Sequence, residues 1–454
     1  MQVINPADGS LITELAEDDA RTVSEKVSAA HAAQREWARA PYEARARAVE
    51  QFAQLLQRDE DRLAGILTRE MGKPITQSHN EIRALADRLA FFLGQTPREL
   101  ATERVAERAS GTEEQIRFEP LGVVANISAW NYPYFVGANV FVPALLTGNA
   151  VLYKPSEYSS LTGIAIGELL HEAGIPQEAM QVLVGGADTG RALMGADIDG
   201  MFFTGSYGTG RKIAEATAGR MIRVQLELGG KDPAYVCDDV DASAAAAGLA
   251  DGAFYNAGQS CCAVERIYVH ERVWDAFLSA FVETVQGFVV GDPTSVDTYI
   301  GPLARRELAL DALQEQVDEA VAKGARLLCG GARLERPGYY FAPTVLVDVS
   351  HDMRVMTEES FGPIIGLMRV GSDEEAQRLM ADTEYGLTAA VYGRDQARAE
   401  AVLSGLDVGT AYFNCCDRVS PRLPWSGRGH SGIGCTLSSY GIETFLKPKA
   451  WHLR

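Results

Sequence analysis

The sequence predicts an α/β fold in which helices cover largely parallel β-sheets. Short apolar runs such as LGVVANIS and NAVLYKPS alternate with stretches of helical periodicity, which is the pattern of a doubly wound sheet. The chain also has 454 residues, of which 46% are hydrophobic. This length exceeds what one hydrophobic core usually holds, so it predicts about three domain-sized units.

Residues 17–110 are predicted to be helical. The segment is rich in charged residues, Ala and Leu, and apolar side chains recur at helical spacing, as at Val49, Phe52, Leu55 and Leu56. This periodicity is typical of amphipathic helices that cover a core with one face.

Residues 132–153 form an uncharged segment. A membrane-spanning helix should be predominantly apolar over about 20 residues. This segment is interrupted by Pro133, Gly137, Asn139, Pro143, Gly148 and Asn149. We therefore predict a buried helix followed by a parallel strand.

Two series of strands are predicted along the rest of the chain. The first consists of LGVVANIS, NAVLYKPS, MQVLVGG, GMFFTGS and PAYVCDD. The second follows Asp241, where the Ala-rich helix ASAAAAGLA precedes the strands RIYVH, ARLLCGG and TVLVDV and the helical stretch LALDALQEQVDEAVAKG. This order predicts a second α/β domain, with Cys261 near its first helix.

Composition excludes several classes of partner. The formal net charge of −19 argues against nucleic acid and anionic membranes, because both need a basic surface. The chain has seven Cys, and its start, MQVINPADGS, has no basic region followed by an apolar stretch. We therefore predict free thiols in a reducing cytoplasm. No Cys-x-x-Cys or His–Cys spacing suits zinc, so no metal site is predicted.

Two residues suggest the chemistry: Glu227, in QLELGGKDP, and Cys261, in NAGQSCCAVER. A thiolate can attack an aldehyde to form a thiohemiacetal, and a nearby carboxylate can activate water to hydrolyse a thioester. Most lone Cys are small core residues, however, so the flanking sequences have to decide. GQSCC offers both Cys261 and Cys262, and the residues alone do not separate them.

At LELGGK and FYNAGQSC the chain resembles the aldehyde dehydrogenase superfamily. AWNYP, LYKPSE, FTGS and EESFGP match in the same order, and the resemblance runs from NPADG to YGIETF. It implies an NAD-binding domain of residues 1–101 and 121–229 and a catalytic domain of residues 230–440. Residues 102–120 and 441–454 would form a small β extension used for oligomerisation, so a homodimer or homotetramer is expected.

The resemblance also implies catalytic roles. The pattern GQ-x-C selects Cys261 as the nucleophile, with Glu227 as the general base. Asn131, which on local sequence alone is typical of a turn, would join the Cys261 N–H in holding the oxyanion. Many family members carry a second acidic residue near the C-terminal end, whereas the matching position here is Lys447, with Glu443 four residues earlier.

FTGSYGTG, which follows an apolar strand and precedes a helical pattern, indicates a nucleotide site. Its glycines would let the backbone approach phosphate at a helix N-terminus. It is not the usual G-x-G-x-x-G, and Gly-rich turns are common. The resemblance implies NAD, with NADP as the alternative. It places cofactor contacts at Trp130, Lys154, Glu157, Gly205, Ser206, Glu359 and Phe361.

The expected activity is therefore NAD-dependent oxidation of an aldehyde to a carboxylic acid. An acylating relative that uses coenzyme A and a catalytically silent aldehyde-binding or structural homologue are the alternatives. Succinate-semialdehyde dehydrogenases resemble the chain in size and motif order, but the position where several of them carry an Arg is Asn139 here. Arg418, in NCCDRVSP, is either a substitute carboxylate anchor or a solvated loop residue.

Overall fold

The computed structural model describes residues 1–107 and 111–454. The helices are α1 (Ala20–Arg39), α2 (Tyr42–Arg58), α3 (Glu60–Met71), α4 (Ile75–Glu99), α5 (Pro133–Leu146), α6 (Ser160–Glu172), α7 (Ala187–Gly195), α8 (Tyr207–Thr217), α9 (Ala242–Phe254), α10 (Trp274–Gln286), α11 (Glu307–Ala322), α12 (Arg354–Thr357), α13 (Asp373–Ala381), α14 (Gln396–Leu403) and α15 (Ser438–Glu443), with a 3₁₀ turn at Tyr255–Gly258. The strands are β1 (Gln2–Ile4), β2 (Leu11–Glu14), β3 (Glu103–Glu107), β4 (Glu113–Pro120), β5 (Val123–Ile127), β6 (Ala150–Lys154), β7 (Met180–Val182), β8 (Gly200–Thr204), β9 (Arg223–Glu227), β10 (Asp232–Val236), β11 (Val264–His270), β12 (Arg326–Cys329), β13 (Thr344–Val347), β14 (Ile364–Val370), β15 (Thr388–Tyr392), β16 (Thr410–Phe413), β17 (Gly432–Ile433) and β18 (Leu446–Leu453).

A six-stranded sheet in the order β17-β9-β8-β5-β6-β7 lies in the first half of the chain. Strands β5 to β9 are parallel, and only β17 is antiparallel to its neighbour. The chain moves outward from β5 to β7 and then returns to place β8 on the other side of β5. This reversal leaves a crevice between β5 and β8 at their carboxyl ends, where doubly wound sheets commonly bind ligands.

A seven-stranded sheet in the order β12-β13-β14-β11-β10-β15-β16 forms the core of the second half. All its pairings are parallel except that of the edge strand β12. Helix α9 starts where Asp241 caps it, because the carboxylate accepts the N–H groups of Ser243 and Ala244 at 3.1 Å each. Its Ala-rich surface packs against this sheet, as the sequence predicts.

A third sheet, β18-β4-β3, is antiparallel and small. The last strand, β18, pairs with β4 along its whole length, from Leu446 opposite Pro120 to Leu453 opposite Glu113. Strands from both segments predicted to form the β extension are therefore hydrogen-bonded in a single sheet. Residues 441–443 belong instead to the end of α15, and residues 108–110 lie outside the described part of the chain.

The structure of residues 132–153 confirms the predicted buried helix followed by a parallel strand. Helix α5 is almost wholly buried, and β6, which follows it, pairs in parallel with β5. Within residues 1–107 and 111–454, no helix is both long and apolar enough to cross a membrane. All seven Cys are free, which agrees with the predicted thiols.

Helices α2, α3, α4 and α5 share one hydrophobic core with β5 and β6. Helix α4 contributes Leu85, Leu89 and Phe92 to it, at the helical spacing expected of an amphipathic helix. Arg88 lies on this same buried face and is only 5% exposed. A cation in this position is unusual, because Arg is rarely fully buried unless it is paired.

Candidate active site

The carboxyl edge of the six-stranded sheet lies against the amino ends of strands of the seven-stranded sheet, and the region between these edges is called the cleft. The carboxyl ends of parallel strands meet at one edge of a sheet, so the residues that end or follow β5, β6, β8 and β9 lie along one wall. These residues are Asn131, Lys154, Ser206 and Glu227. On the opposite wall are the amino ends of β11 and β14, which Cys261 and Phe361 precede. The topology thus gathers motifs that are far apart in the sequence.

Residues 228–231 connect the two walls, because they join the end of β9 to the start of β10. The Gly230 N–H donates to Oε1 of Glu359 at 3.1 Å. A Cβ atom on Gly230 would lie 3.0 Å from the Cys261 carbonyl oxygen. The three motifs LELGGK, GQSC and EESFGP are therefore in contact with one another.

The two adjacent cysteines have different surroundings. Cys261 is half-buried, whereas Cys262 is only 3% exposed and donates its S–H to Oδ1 of Asp417 at 3.0 Å. The neighbouring Cys261 side chain, burial and the Asp417 carboxylate all raise the pKa of the Cys262 thiol well above its ordinary value. Cys262 therefore stays protonated, and Cys261 is the thiol that the cleft can reach.

A strained turn leads into Cys261. Asn256, Ala257 and Gly258 have φ angles of 54°, 56° and 70° in succession. Residues other than Gly rarely adopt a positive φ angle. The Asn256 carboxamide holds the turn by donating to the Asn131 carbonyl at 3.2 Å. Gly258 is required here, since a Cβ atom would lie 2.3 Å from the Gly362 carbonyl oxygen. Strain of this kind persists where neighbouring structure fixes it, and it often accompanies functional sites.

Two N–H donors are available near Cys261. Asn131 is buried, and its Nδ2 donates to the Gln259 carbonyl at 3.1 Å, which leaves its second N–H without an acceptor in the described part of the chain. The Cys261 backbone N–H likewise has no acceptor among residues 1–107 and 111–454. Such donors can stabilise a developing oxyanion.

Glu227 ends β9 and is buried, with 6% exposure. Burial raises its pKa to about 7, while the Thr436 hydroxyl and the Arg88 charge act in the opposite direction. Thr436 donates its hydroxyl hydrogen to Oε1 of Glu227. A carboxyl group that changes charge near neutral pH is suited to general-base catalysis.

The residues predicted to hold a nucleotide line the carboxyl edge of the six-stranded sheet. Lys154 is buried at the end of β6, where its Nζ donates to the Pro155 carbonyl at 3.2 Å, and Glu157 is exposed three residues later. Ser206 is exposed and precedes α8, and its hydroxyl donates to Thr209 rather than to the helix backbone. The N–H groups of Tyr207 and Gly208, at the start of α8, thus have no acceptor in the described part of the chain and are open to an anion.

The glycines of FTGSYGTG differ in what they do. A Cβ atom on Gly210 would lie 2.4 Å from Leu228, so this glycine allows α8 to pack closely on β9. Gly205 lies against the ring of Phe203, and only Gly208 has open space around its Cα. Of the three predicted to let the backbone approach phosphate, Gly208 alone faces free space.

The EESFGP segment is held by a buried carboxylate. Glu265 accepts the backbone N–H groups of Ser360 at 2.8 Å and Phe361 at 2.9 Å, and it also binds Nζ of Lys231 at 2.7 Å. The Phe361 ring then lies edge-on to Trp130, with 5.5 Å between ring centroids. Trp130 and Phe361, which are predicted cofactor contacts on opposite walls of the cleft, therefore lie next to each other.

A sequence model of the aldehyde dehydrogenase family matches residues 1–451. The chain belongs to this family. Its members are NAD(P)-dependent oxidoreductases, and the protein is one of them. The chain is 37% identical to the 3,6-anhydro-alpha-L-galactose dehydrogenase of Streptomyces coelicolor, over 100% of this chain and 93% of the relative. It is 35% identical to the NADP(+) succinate-semialdehyde dehydrogenase of Deinococcus radiodurans, over 98% of this chain and 93% of that relative.

Solved structures of the family have the same fold. The betaine aldehyde dehydrogenase of Staphylococcus aureus in complex with NAD+ superimposes with a TM-score of 0.96 at 31% identity, over 100% of this chain and 91% of that chain. The lactaldehyde dehydrogenase of Escherichia coli gives the same TM-score and identity. The predicted α/β fold is thus confirmed.

Three residues that the sequence raised as candidates make no hydrogen bond to Glu227 or Cys261 in the described part of this aldehyde dehydrogenase. Lys447 is exposed on β18 and donates to the Leu121 carbonyl at 2.7 Å, so it makes no contact with Glu227. Glu443 is also exposed. The Arg418 side chain is exposed in its loop, and its carbonyl accepts the Tyr412 hydroxyl.

Four residues of the site were not identified from the sequence. These are Thr436, Asp417, Glu265 and Arg88. Only Arg88 carries a sequence signal, because it interrupts the apolar face of α4. The other three act through contacts with residues distant in sequence, which local patterns do not reveal.

A cluster of two carboxylates and one imidazole lies elsewhere on the protein. Within the described residues, Glu60, Asp61 and His79 place ligand atoms close together, and His79 Nδ1 already contacts Glu60 at 2.6 Å. His79 and Glu60 are thus paired with each other, and the cluster is separate from the motifs of the cleft.

Thr436→Val is expected to move the acidic limb of the pH–rate profile to higher pH. The hydroxyl stabilises the charged form of Glu227, so its loss should raise the pKa of Glu227 above about 7. A hydrogen bond to a charged group accounts for a shift of about one pH unit. Steady-state rates between pH 5.5 and 9 measure it, with Thr444→Val as the control because that hydroxyl donates to the Tyr440 carbonyl. An unchanged profile would show that Thr436 does not tune Glu227.

Proposed function

We propose that this aldehyde dehydrogenase oxidises an aldehyde to a carboxylate through a thioester on Cys261, with NAD as the preferred coenzyme. The observation that supports this most strongly is the buried Glu227 carboxyl in the same cleft as the accessible thiol. Burial raises the pKa of Glu227 to about 7, which suits a base that must take a proton from water near neutral pH.

In the first step the Cys261 thiolate attacks the aldehyde carbon. The oxygen gains negative charge, and the free N–H groups of Asn131 and of the Cys261 backbone are placed to receive it. One such donor contributes roughly 3 kcal/mol, since removing one in other enzymes slows the reaction about 100- to 1,000-fold. The product of this step is a thiohemiacetal.

The residues at the carboxyl edge of the six-stranded sheet suit the hydroxyl and phosphate groups of the coenzyme. Lys154 and Glu157 would bind the adenosine ribose, and Ser206 and Gly208, at the start of α8, would face the pyrophosphate.

Glu359, Phe361 and Trp130 would border the nicotinamide ribose. Bound NAD supplies the two-electron oxidation that turns the thiohemiacetal into a thioester.

In the last step Glu227 accepts a proton from water, whose oxygen attacks the thioester carbon and releases the carboxylic acid. The Cys261 thiolate is thereby restored. A base in this position favours hydrolysis over transfer to coenzyme A, since an acylating enzyme needs no hydrolytic base.

The test is a mixture of protein, NAD and a short aldehyde, followed by NADH absorbance with and without coenzyme A. Oxidation that does not depend on coenzyme A is expected. A strict requirement for coenzyme A would identify an acylating enzyme. Absence of NADH across a broad panel of aldehydes, with aldehyde binding retained, would identify a silent homologue.

Glu157→Ser is expected to narrow the preference for NAD over NADP by roughly 10- to 100-fold. The carboxylate can accept hydrogen bonds from the ribose 2′-hydroxyl and repels a 2′-phosphate. The ratio of kcat/KM for the two coenzymes measures this effect. Glu168→Ser, which removes an exposed carboxylate from α6, is the control. A wild-type enzyme that favours NADP would contradict the assignment.

We also propose the division into an NAD-binding domain of 1–101 and 121–229, a catalytic domain of 230–440, and oligomerisation strands at 102–120 and 441–454. One strand departs from these limits, because β17 lies within 230–440 but pairs with β9. The sheet formed by β3, β4 and β18 supports assembly into a homodimer or homotetramer through its edges. We place the protein in the cytoplasm, in keeping with its seven free thiols.

A further inference from the structure

Arg88 is a buried cation that the steps above do not use. It lies on the core-facing side of α4, between the buried residues Leu85 and Phe92, and is 5% exposed. Its pKa falls to about 10 because of burial. The guanidinium therefore remains positively charged at neutral pH.

The guanidinium lies against the helix that follows Asn131. Its Nη1 donates to Oδ1 of Asn139 at 2.7 Å, and its Cζ lies 4.0 Å from the centroid of the Phe135 ring. Phe135 and Asn139 are four residues apart on one face of α5, and Asn131 precedes that helix by two residues. Arg88 therefore contacts the helix that directly follows the predicted oxyanion donor.

Several features connect Arg88 with the reacting groups. Its charge interacts with Glu227 and with both Cys261 and Cys262. Phe135 and Cys261 also pack against the same hydrophobic cluster. The Arg88 charge is therefore within electrostatic range of the thiol that would hold the aldehyde carbon.

No carboxylate of the described residues forms an ion pair with Arg88. The two acidic residues nearest to it on α4 have other partners: Asp87 binds Arg422 through two hydrogen bonds of 2.7 and 2.9 Å, and Glu81 binds Lys73. Apart from the bond to Asn139, the Arg88 N–H groups have no acceptor within residues 1–107 and 111–454. A buried charge without a counter-ion is unfavourable, so this arrangement suits an anion that arrives with the substrate.

We propose that Arg88 is a specificity-determining residue that binds a carboxylate at the far end of the aldehyde substrate. The planar guanidinium presents paired N–H groups that match a carboxylate, and Asn139 fixes its orientation. The inference rests on the proposed aldehyde oxidation and narrows its substrates to aldehydes that carry a terminal carboxylate.

The test compares succinate semialdehyde with butanal, which has the same chain length and no charge. Wild-type kcat/KM is expected to favour succinate semialdehyde by roughly 10- to 100-fold. Arg88→Met should remove this preference, mainly through a higher KM for the charged aldehyde, and Arg88→Lys should keep part of it. Arg83→Met removes an exposed Arg from the same helix and should leave the ratio unchanged.

A second measurement does not depend on turnover. Glutarate should slow the alkylation of Cys261 by iodoacetamide in the wild type, because a dicarboxylate can fill the site without reacting. Arg88→Met should lose this protection, and pentanol should protect both proteins equally. Thermal unfolding of each variant verifies that it is folded.

Several results would overturn the assignment. If the wild type oxidises butanal and succinate semialdehyde with equal kcat/KM, the proposed function stays intact but Arg88 is refuted as an anion site. Equal losses for both aldehydes in Arg88→Met would make Arg88 a positioning residue for Glu227. A preference for glyceraldehyde that depends on Arg88 would indicate hydroxyl recognition, and loss of the charged preference in Arg418→Met alone would assign the anchor to Arg418.

A failure of the proposed function has a different signature. If no aldehyde is oxidised, while glutarate still protects Cys261 in the wild type and not in Arg88→Met, the anion site stands without the activity.

Discussion

Cys261→Ala is expected to lower aldehyde oxidation on the order of 10,000-fold or more, because it removes the thiol that is proposed to form the thiohemiacetal. NAD binding should be nearly intact, since Lys154, Glu157 and Ser206 lie on the opposite wall. NADH formation measures the first effect, and calorimetric titration with NAD measures the second.

Cys262→Ala is the matched control. Its thiol is buried and donates to Asp417, so its loss should reduce activity only mildly, through the position of the loop. The nucleophile would be reassigned if Cys262→Ala were inactive and Cys261→Ala retained wild-type rates.

Glu227→Gln should keep the shape of the site and lose the base. Deacylation is expected to slow by about 100- to 10,000-fold, while thioester formation continues. Rapid mixing with aldehyde and NAD should therefore give a burst of NADH close to one equivalent per site, followed by a slow steady state. Wild-type steady-state activity should fall as pH drops through about 7, because protonated Glu227 cannot accept a proton.

Glu443→Gln is the control for this experiment, since its carboxylate is exposed and should not affect either phase. Equal loss of the burst and the steady state in Glu227→Gln would mean that Glu227 activates the thiol or positions the coenzyme instead.

Local patterns predicted most of the fold. The interruptions in residues 132–153 identified α5 and β6 correctly, and the strand runs found β5 to β8 and β10 to β13. Other strands, such as β9 and β14, were not singled out. β17 has only two residues, too few to show any periodicity.

The site assignment came from the motifs LELGGK and FYNAGQSC, and it stays a prediction. The structure adds that Glu227 ends β9 and Cys261 precedes β11, so the motifs lie at neighbouring sheet edges. Thr436 could not be found in this way, because it is 209 residues from Glu227 and only the folded chain places it there. Arg88 was only partly predictable. The sequence shows a charged residue on the apolar face of a helix, but it does not show which groups that residue contacts.

The short pairing of β17 with β9 has a consequence for synthesis. Gly432 lies opposite Glu227, and the Leu228 N–H donates to the Ser431 carbonyl at 3.1 Å. Residues that border the base therefore leave the ribosome long after Glu227 itself, because Thr436 follows it by 209 residues. A nascent chain that already contains its thiol and its nucleotide cradle still lacks Thr436 beside the base. Under the proposed mechanism, the base and the hydroxyl that contacts it are assembled only after residue 436 has been added.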